Sequence, residues 1–207
     1  METFKHVREW LQPGSFLIGI DLKDQFLSVP MNKKYRKYLK FLWLGKMFEW
    51  QVLPFGLKCS PRVVTKLLKP VIGMLRSVFG IKLSIYMDDI ILQGRTKLEA
   101  YLHAQITILV LLCLGWEVNW EKSTLVPTHK LTHLGFMIDT ESMTATLPDA
   151  KISRLQTFAK TTLVEKSVSV HNAERLLGLM ESVRPVVPLA AFHYRGLQKQ
   201  LLKTKWF

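Results

Sequence analysis

The chain has 207 residues, 48% of them apolar, which is enough to bury the core of one large domain or of a domain with an appendage. Its net charge of +13 points to a polyanionic partner, nucleic acid first. Cys59 and Cys113 exclude a disulfide framework and a zinc cluster, the longest apolar stretch (residues 106–116) is too short to span a bilayer, and Met1 opens no signal peptide, so a reducing cytoplasmic or nuclear setting without membrane attachment is expected.

In chain order, residues 4–11 read as a short helix stopped by Pro13-Gly14. Residues 15–20 form a buried-strand pattern, and Asp21 stands where its apolar run ends. Residues 33–40 pack five cations around Tyr35 and Tyr38, a mixture that suits a phosphate backbone and its bases. A solvated face accounts for the same residues. Residues 38–53 read as two strands turning at Gly45-Lys46, broken by Pro54-Phe55-Gly56. Ser60-Pro61 is a good helix start. The following helix carries Val64, Leu67, Leu68, Val71, Ile72, Leu75 and Phe79 on one face and Arg62, Lys66, Lys69 and Arg76 near the other, with a kink expected at Pro70.

Residues 80–94 read as a β-hairpin with Asp88 and Asp89 at its tip. An acidic turn is the ordinary alternative. A paired carboxylate between apolar strands is costly unless a positive group neutralises it, and Asp21 adds a third in a similar setting. A second amphipathic helix spans residues 97–114, with Leu98, Leu102, Ile106, Leu109 and Leu112 expected inward, ending at Gly115. Residues 116–120 alternate as a half-buried strand leading to Lys122. Residues 132–138 read as one more strand, turning around Asp139–Ser142. From Pro148 the strand signals stop, with helices expected at 150–161, 170–183 and 189–203. That change of class sets one boundary, between residues 1–147 and 148–207. Strands and helices that bring Asp21 near Asp88-Asp89 suit a two-metal site built from hard oxygen ligands.

The chain resembles the reverse transcriptases. Asp21-Leu22-Lys23-Asp24-Gln25-Phe26 is similar to the first catalytic motif of that family, Leu53-Pro54-Phe55-Gly56-Leu57-Lys58-Cys59-Ser60-Pro61 to the second, and Tyr86-Met87-Asp88-Asp89 to the third. Residues 115–122 resemble the fourth, and Leu134-Gly135-Phe136 the primer grip. Five motifs in order over residues 15–140 make a specific match. Phe55, Leu176-Leu177-Gly178 and His193-Tyr194-Arg195 look more like LTR-type and especially DIRS-type retrotransposons than retroviruses.

The resemblance implies an α+β fold: an antiparallel palm sheet backed by helices, with a partial fingers strip, then a helical thumb or connection region. It implies that Asp21, Asp88 and Asp89 are catalytic and, with the Leu22 carbonyl, hold two Mg²⁺ ions, with Mn²⁺ possible. Lys23, Asp24 and Gln25 would lie along the triphosphate of the incoming deoxynucleotide, Phe26 would be the steric gate beneath its sugar, and Phe55 would pack against it. Tyr86, Met87, Leu134, Gly135 and Phe136 would contact primer or template. Lys122 would protonate the leaving pyrophosphate, where a solvated lysine is the plain alternative; Asp24 has a helix-start or ion-pair alternative.

With 14 residues before Ser15, the fingers of the family are expected elsewhere in a larger polyprotein, as is RNase H. The expected activity is RNA-directed DNA synthesis on an RNA or DNA template with a primer. The alternatives are a nucleic-acid-binding relic without turnover, or a structural subunit of a heteromeric polymerase; a chain separated from its fingers is expected to bind primed template but to extend it poorly or not at all.

Overall fold

The computed structural model describes residues 2–164 and 168–204. In order they form α1 (Phe4–Trp10), β1 (Phe16–Lys23), α2 (Lys33–Arg36), β2 (Lys40–Trp43), β3 (Lys46–Glu49), α3 (Ser60–Phe79), β4 (Lys82–Tyr86), β5 (Asp89–Gly94), α4 (Lys97–Cys113), β6 (Glu117–Val118), β7 (Thr124–Thr128), β8 (Lys130–His133), β9 (Phe136–Asp139), β10 (Thr144–Thr146), α5 (Asp149–Val164), α6 (Val170–Val183) and α7 (Ala190–Thr204). The architecture is α+β, as expected. The chain divides into two compact units, Met1–Leu131 and Thr132–Phe207. The second begins inside β8, and its all-helical part starts at Asp149.

The first unit is built on an antiparallel sheet with β1 at its centre. One edge of β1 pairs with β5, which pairs with β4. The other edge is shared: Leu17 and Gly19 face β7, with a register shift between them, whereas Leu22 and Lys23 face β6. Alternation then sorts the side chains. Ile18, Ile20, Leu22, Leu83, Ile90 and Leu92 turn to one face and pack with Val64, Leu68, Ile72 and Leu75 of α3 and with Ala100, Ala104, Ile108 and Leu111 of α4. The opposite face carries Asp21 and its cross-strand partner Asp89.

α3 follows the expected pattern in part. Val64, Leu68, Ile72 and Leu75 are buried, the four cations stay exposed, and the helix runs through Pro70 as one span. Leu67 and Phe79, expected inward, are exposed. α4 departs further. Its buried residues are Ala100, Ala104, Thr107, Ile108 and Leu111, whereas Leu98, Leu102, Leu109 and Leu112 are exposed. The reason is the closeness of β5: a Cβ on Gly94 would lie 2.2 Å from the Ala100 amide nitrogen, so the strand and helix backbones almost touch. Only small side chains fit at that contact, and the leucines take the outer face.

The chain start is tied to the sheet by Glu2. Its carboxylate accepts from the Arg76 guanidinium at 2.7 Å, the Ser84 hydroxyl at 2.6 Å and the Ile85 amide at 3.1 Å. Burial pushes the Glu2 pKa up, but these hydrogen bonds and the charge of Arg76 outweigh it and hold the group below its ordinary value.

In the second unit β8, β9 and β10 form a three-stranded antiparallel sheet. The single strand expected over residues 132–138 is a hairpin, turning at Leu134-Gly135, both with positive φ (52° and 73°). Two positive φ values in a two-residue connection give a type I′ turn, whose twist matches the flanking strands. α6 packs with α5 and α7, and the Tyr194 hydroxyl of α7 donates to Glu181 of α6.

Candidate active site at the end of the central sheet

The site forms where β1 changes partner. Between the β7 and β6 pairings, neither strand completes the ladder at Asp21. Its amide donates to the Ser123 hydroxyl at 3.0 Å, and its carbonyl accepts from the Asn119 amide at 2.8 Å. The loop is closed on itself, since the Ser123 hydroxyl donates to the Asn119 carbonyl at 2.7 Å. A backbone satisfied in this way fixes Asp21 without a partner strand on that edge.

The hairpin tip comes from the other side. Asp89 opens β5 directly opposite Asp21 and is itself opposite Tyr86, so Tyr86, Asp89 and Asp21 form one row across three strands on the face away from α3 and α4. Met87 and Asp88 make the two-residue turn. Met87 has φ 60°, a left-handed conformation that costs an ordinary side chain energy and that a glycine would adopt freely. The Leu22 amide donates to the Asp88 carbonyl at 2.8 Å, which clamps the turn against β1. Three carboxylates thus share one end of the sheet.

Their electrostatics are unfavourable as they stand. Burial raises the pKa of Asp21, and the negative charge of Asp88 raises it further; Lys122 pulls it back, Asp89 adds to the rise, and a hydrogen bond from the Asn119 side chain lowers it. A half-buried carboxylate crowded by two others is a position for cations. Among the described residues no three His, Cys, Asp or Glu side chains close into a ready-made cage. An open set of two or three carboxylates nonetheless fits Mg²⁺, which keeps waters and takes phosphate oxygens from a substrate instead of filling its shell with protein.

Lys23 and Lys122 lie at the same end of the sheet. Lys122 is exposed, with its amide donating to the Asn119 side-chain oxygen at 3.3 Å, and its charge reaches Asp21. Lys23 is exposed and lies 3.8 Å from Glu117. Asp24 has φ 47° and its carbonyl accepts from the Leu27 amide, so it is a turn residue. Gln25 is buried, and its side-chain oxygen has no hydrogen-bond partner among the described residues. Phe26 is half-buried against the core and meets Phe55 edge-to-face, ring centroids 5.4 Å apart. Phe55 is largely exposed. Leu134, Gly135 and Phe136 lie in the second unit, where Lys151 sits 4.7 Å over the Phe136 ring. Asn119 and Ser123 were not candidates from sequence; a polar pair flanking a lysine after a short strand carries no signal by itself.

Residues 5–138 match the family model for reverse transcriptase (RNA-dependent DNA polymerase). The chain is 27% identical over 184 residues to the Gag-Pol polyprotein of Walleye dermal sarcoma virus, covering 89% of this chain and 10% of that one. It is 29% identical over 191 residues to the Gag-Pro-Pol polyprotein of Human T-cell leukemia virus 2, covering 88% and 12%. It therefore spans about a tenth of the length of these curated relatives. The fold is similar to that of the foamy viral protease-reverse transcriptase in complex with RNA/DNA hybrid, with a TM-score of 0.78 and 24% identity over 98% of this chain and 26% of that one. A second structure of that protein, in complex with double-stranded DNA, gives 0.75 and 25% over 96% and 33%. Among the described residues no helix is long and apolar enough to cross a membrane.

Proposed function

Because the chain belongs to the reverse transcriptase (RNA-dependent DNA polymerase) family, we propose that the carboxylate end of its central sheet is the catalytic centre of an RNA-directed DNA polymerase. The observation that carries this reading is the register that sets Asp21 opposite Asp89, with the Asp88 turn clamped to Leu22. The substrates are a primer on an RNA or DNA template and deoxynucleoside triphosphates, and the wider protein is a retroelement polyprotein with fingers and RNase H.

Asp21 and Asp88 hold the divalent cations, with Asp89 and the Leu22 carbonyl as auxiliary ligands. When bound, two Mg²⁺ ions, or Mn²⁺ in their place, ease deprotonation of the primer 3′-hydroxyl and neutralise the leaving pyrophosphate. Asn119 and Ser123 hold the Asp21 backbone so that its carboxylate does not swing away. The backbone amides at Lys23, Asp24 and Gln25 lie along the triphosphate. Phe26 supports the sugar from below, stiffened by the edge of Phe55, and crowds a 2′-hydroxyl. Tyr86 and Met87 meet the primer end, and Leu134, Gly135 and Phe136 contact primer or template. Lys122 supplies a cation, and a proton, on the pyrophosphate side. Residues 148–207 serve as the thumb or connection portion.

The test is primer extension on a primed RNA template with Mg²⁺, alongside a template–primer binding assay. Incorporation of deoxynucleotides supports the reading; tight binding with no incorporation under any divalent cation, by this chain and by the chain joined to its fingers alike, would make it a binding protein.

A further inference from the structure

The β2–β3 hairpin stands apart from the sheet that carries the carboxylates. It is a two-stranded sheet of its own, and every residue of both strands is exposed. A lone hairpin is marginal in water, so an exposed face of this kind has a use for an occupant. Leu44 and Gly45, with φ 47° and 73°, make its tight turn.

The cross-strand register sorts the side chains by face. Phe41 lies opposite Phe48 and Trp43 opposite Lys46, all on one side, whereas Leu42 and Met47 lie on the other. The Trp50 amide donates to the Leu39 carbonyl, which continues the ladder and adds Trp50 to the first side. The Phe41 ring is stacked on Phe48 at 5.7 Å and tilted against Trp50 at 5.6 Å. Trp43 is 63% exposed. Successive side chains on one face of a strand are about 7 Å apart, twice the thickness of an aromatic ring, so a base has room between Phe41 and Trp43.

The charge around this face selects among occupants. From Lys33 to Trp50 the cations are Lys33, Lys34, Arg36, Lys37, Lys40 and Lys46, and Glu49 is the one acid. Lys34 and Lys37 lie over the rings of Tyr35 and Tyr38 at 5.9 and 5.1 Å. An apolar protein surface would not call for six cations beside the rings; a strand of nucleic acid with unpaired bases calls for both. We propose that the β2–β3 hairpin is a stacking platform for single-stranded nucleic acid, with the unpaired part of the template as its natural occupant. Only that last role rests on the polymerase reading; the binding of a single strand does not.

The test measures binding of the 207-residue chain to an unprimed oligothymidylate of about 16 nucleotides and to a blunt DNA duplex of the same length, at one fixed salt concentration. Trp43→Ala should weaken oligothymidylate binding by about 5- to 100-fold and leave duplex binding unchanged. Trp43→Phe should retain most of the affinity. Trp43 is exposed, so truncation leaves the fold intact, as circular dichroism would confirm. Parent-level oligothymidylate binding by Trp43→Ala overturns the proposal, and so does an equal loss for both ligands. Self-association of the parent that Trp43→Ala removes without changing oligothymidylate affinity also overturns it, in favour of a protein-docking face. Asp88→Asn keeps the two readings apart: it should bind oligothymidylate like the parent, and if it still extended primers the polymerase reading would fail while the platform stood.

Discussion

Asp21 and Asp89 face each other across the β1–β5 ladder, each at the end of an apolar strand and both on the face away from α3 and α4. Cross-strand partners of like charge are destabilising, and here Asp88 adds a third negative group one residue away. The fold holds this arrangement through its backbone amides: that of Leu22 donates to the Asp88 carbonyl and that of Asp21 to the Ser123 hydroxyl. Repulsion among the carboxylates is therefore available to be relieved by cations, and the predictions below test the parts that hold the arrangement and the parts that use it.

Gly94 and Ala100 fix the spacing between β5 and α4. A Cβ at Gly94 would sit 2.2 Å from the Ala100 nitrogen and 2.6 Å from its Cα, which are backbone atoms that cannot turn aside. Gly94→Ala should destabilise the chain by about 3 kcal/mol or more. Chemical denaturation checks this, and an unchanged midpoint would mean that helix and strand separate without cost.

Glu2 provides a pH-dependent contribution to stability. Its folded pKa lies below the ordinary value of 4.5, so the stabilisation is complete above that value and is lost as pH falls through the folded one. Glu2→Gln should cost about 1 kcal/mol near neutrality, a modest figure because the Arg76 partner is partly solvated. The gap between variant and parent should close on acidification below that range. A gap that stays constant down to strongly acid pH would assign the effect to packing instead of charge.

Phe26 carries the sugar selectivity in this account. Phe26→Val should raise ribonucleotide incorporation relative to deoxynucleotide incorporation by at least about tenfold, because the clash with a 2′-hydroxyl is relieved. The stability cost should be about 2 kcal/mol, since the ring is only half-buried and loses one edge contact with Phe55. A folded variant with unchanged selectivity would make Phe26 a core residue and nothing more.

Much of this arrangement is legible in the sequence. Short β-branched runs bounded by Gly80 and Gly94 specify the hairpin, and the end of an apolar run marks Asp21. Three features are not. α4 is apolar nearly all round, so period alone cannot choose its inner face; the approach of Gly94 to Ala100 chooses it. The Leu134-Gly135 turn hides inside an apolar run because leucine is an unusual residue at positive φ. β7 pairs with β1 only across a register shift, with Thr124 to Thr128 lacking a clean alternation, and Asn119 and Ser123 matter because the gap between the β7 and β6 pairings leaves Asp21 without a partner strand on that edge.

The central claim is that the carboxylates at the end of this sheet carry nucleotidyl transfer, and Asp88→Asn tests it most directly. The measurement is single-nucleotide primer extension with Mg²⁺ for parent and variant, each joined to the fingers of its polyprotein, with template–primer affinity determined on the same samples. The account predicts that the parent extends, that the variant loses extension by several orders of magnitude, and that affinity is retained. Extension by Asp88→Asn at near the parent rate would contradict it.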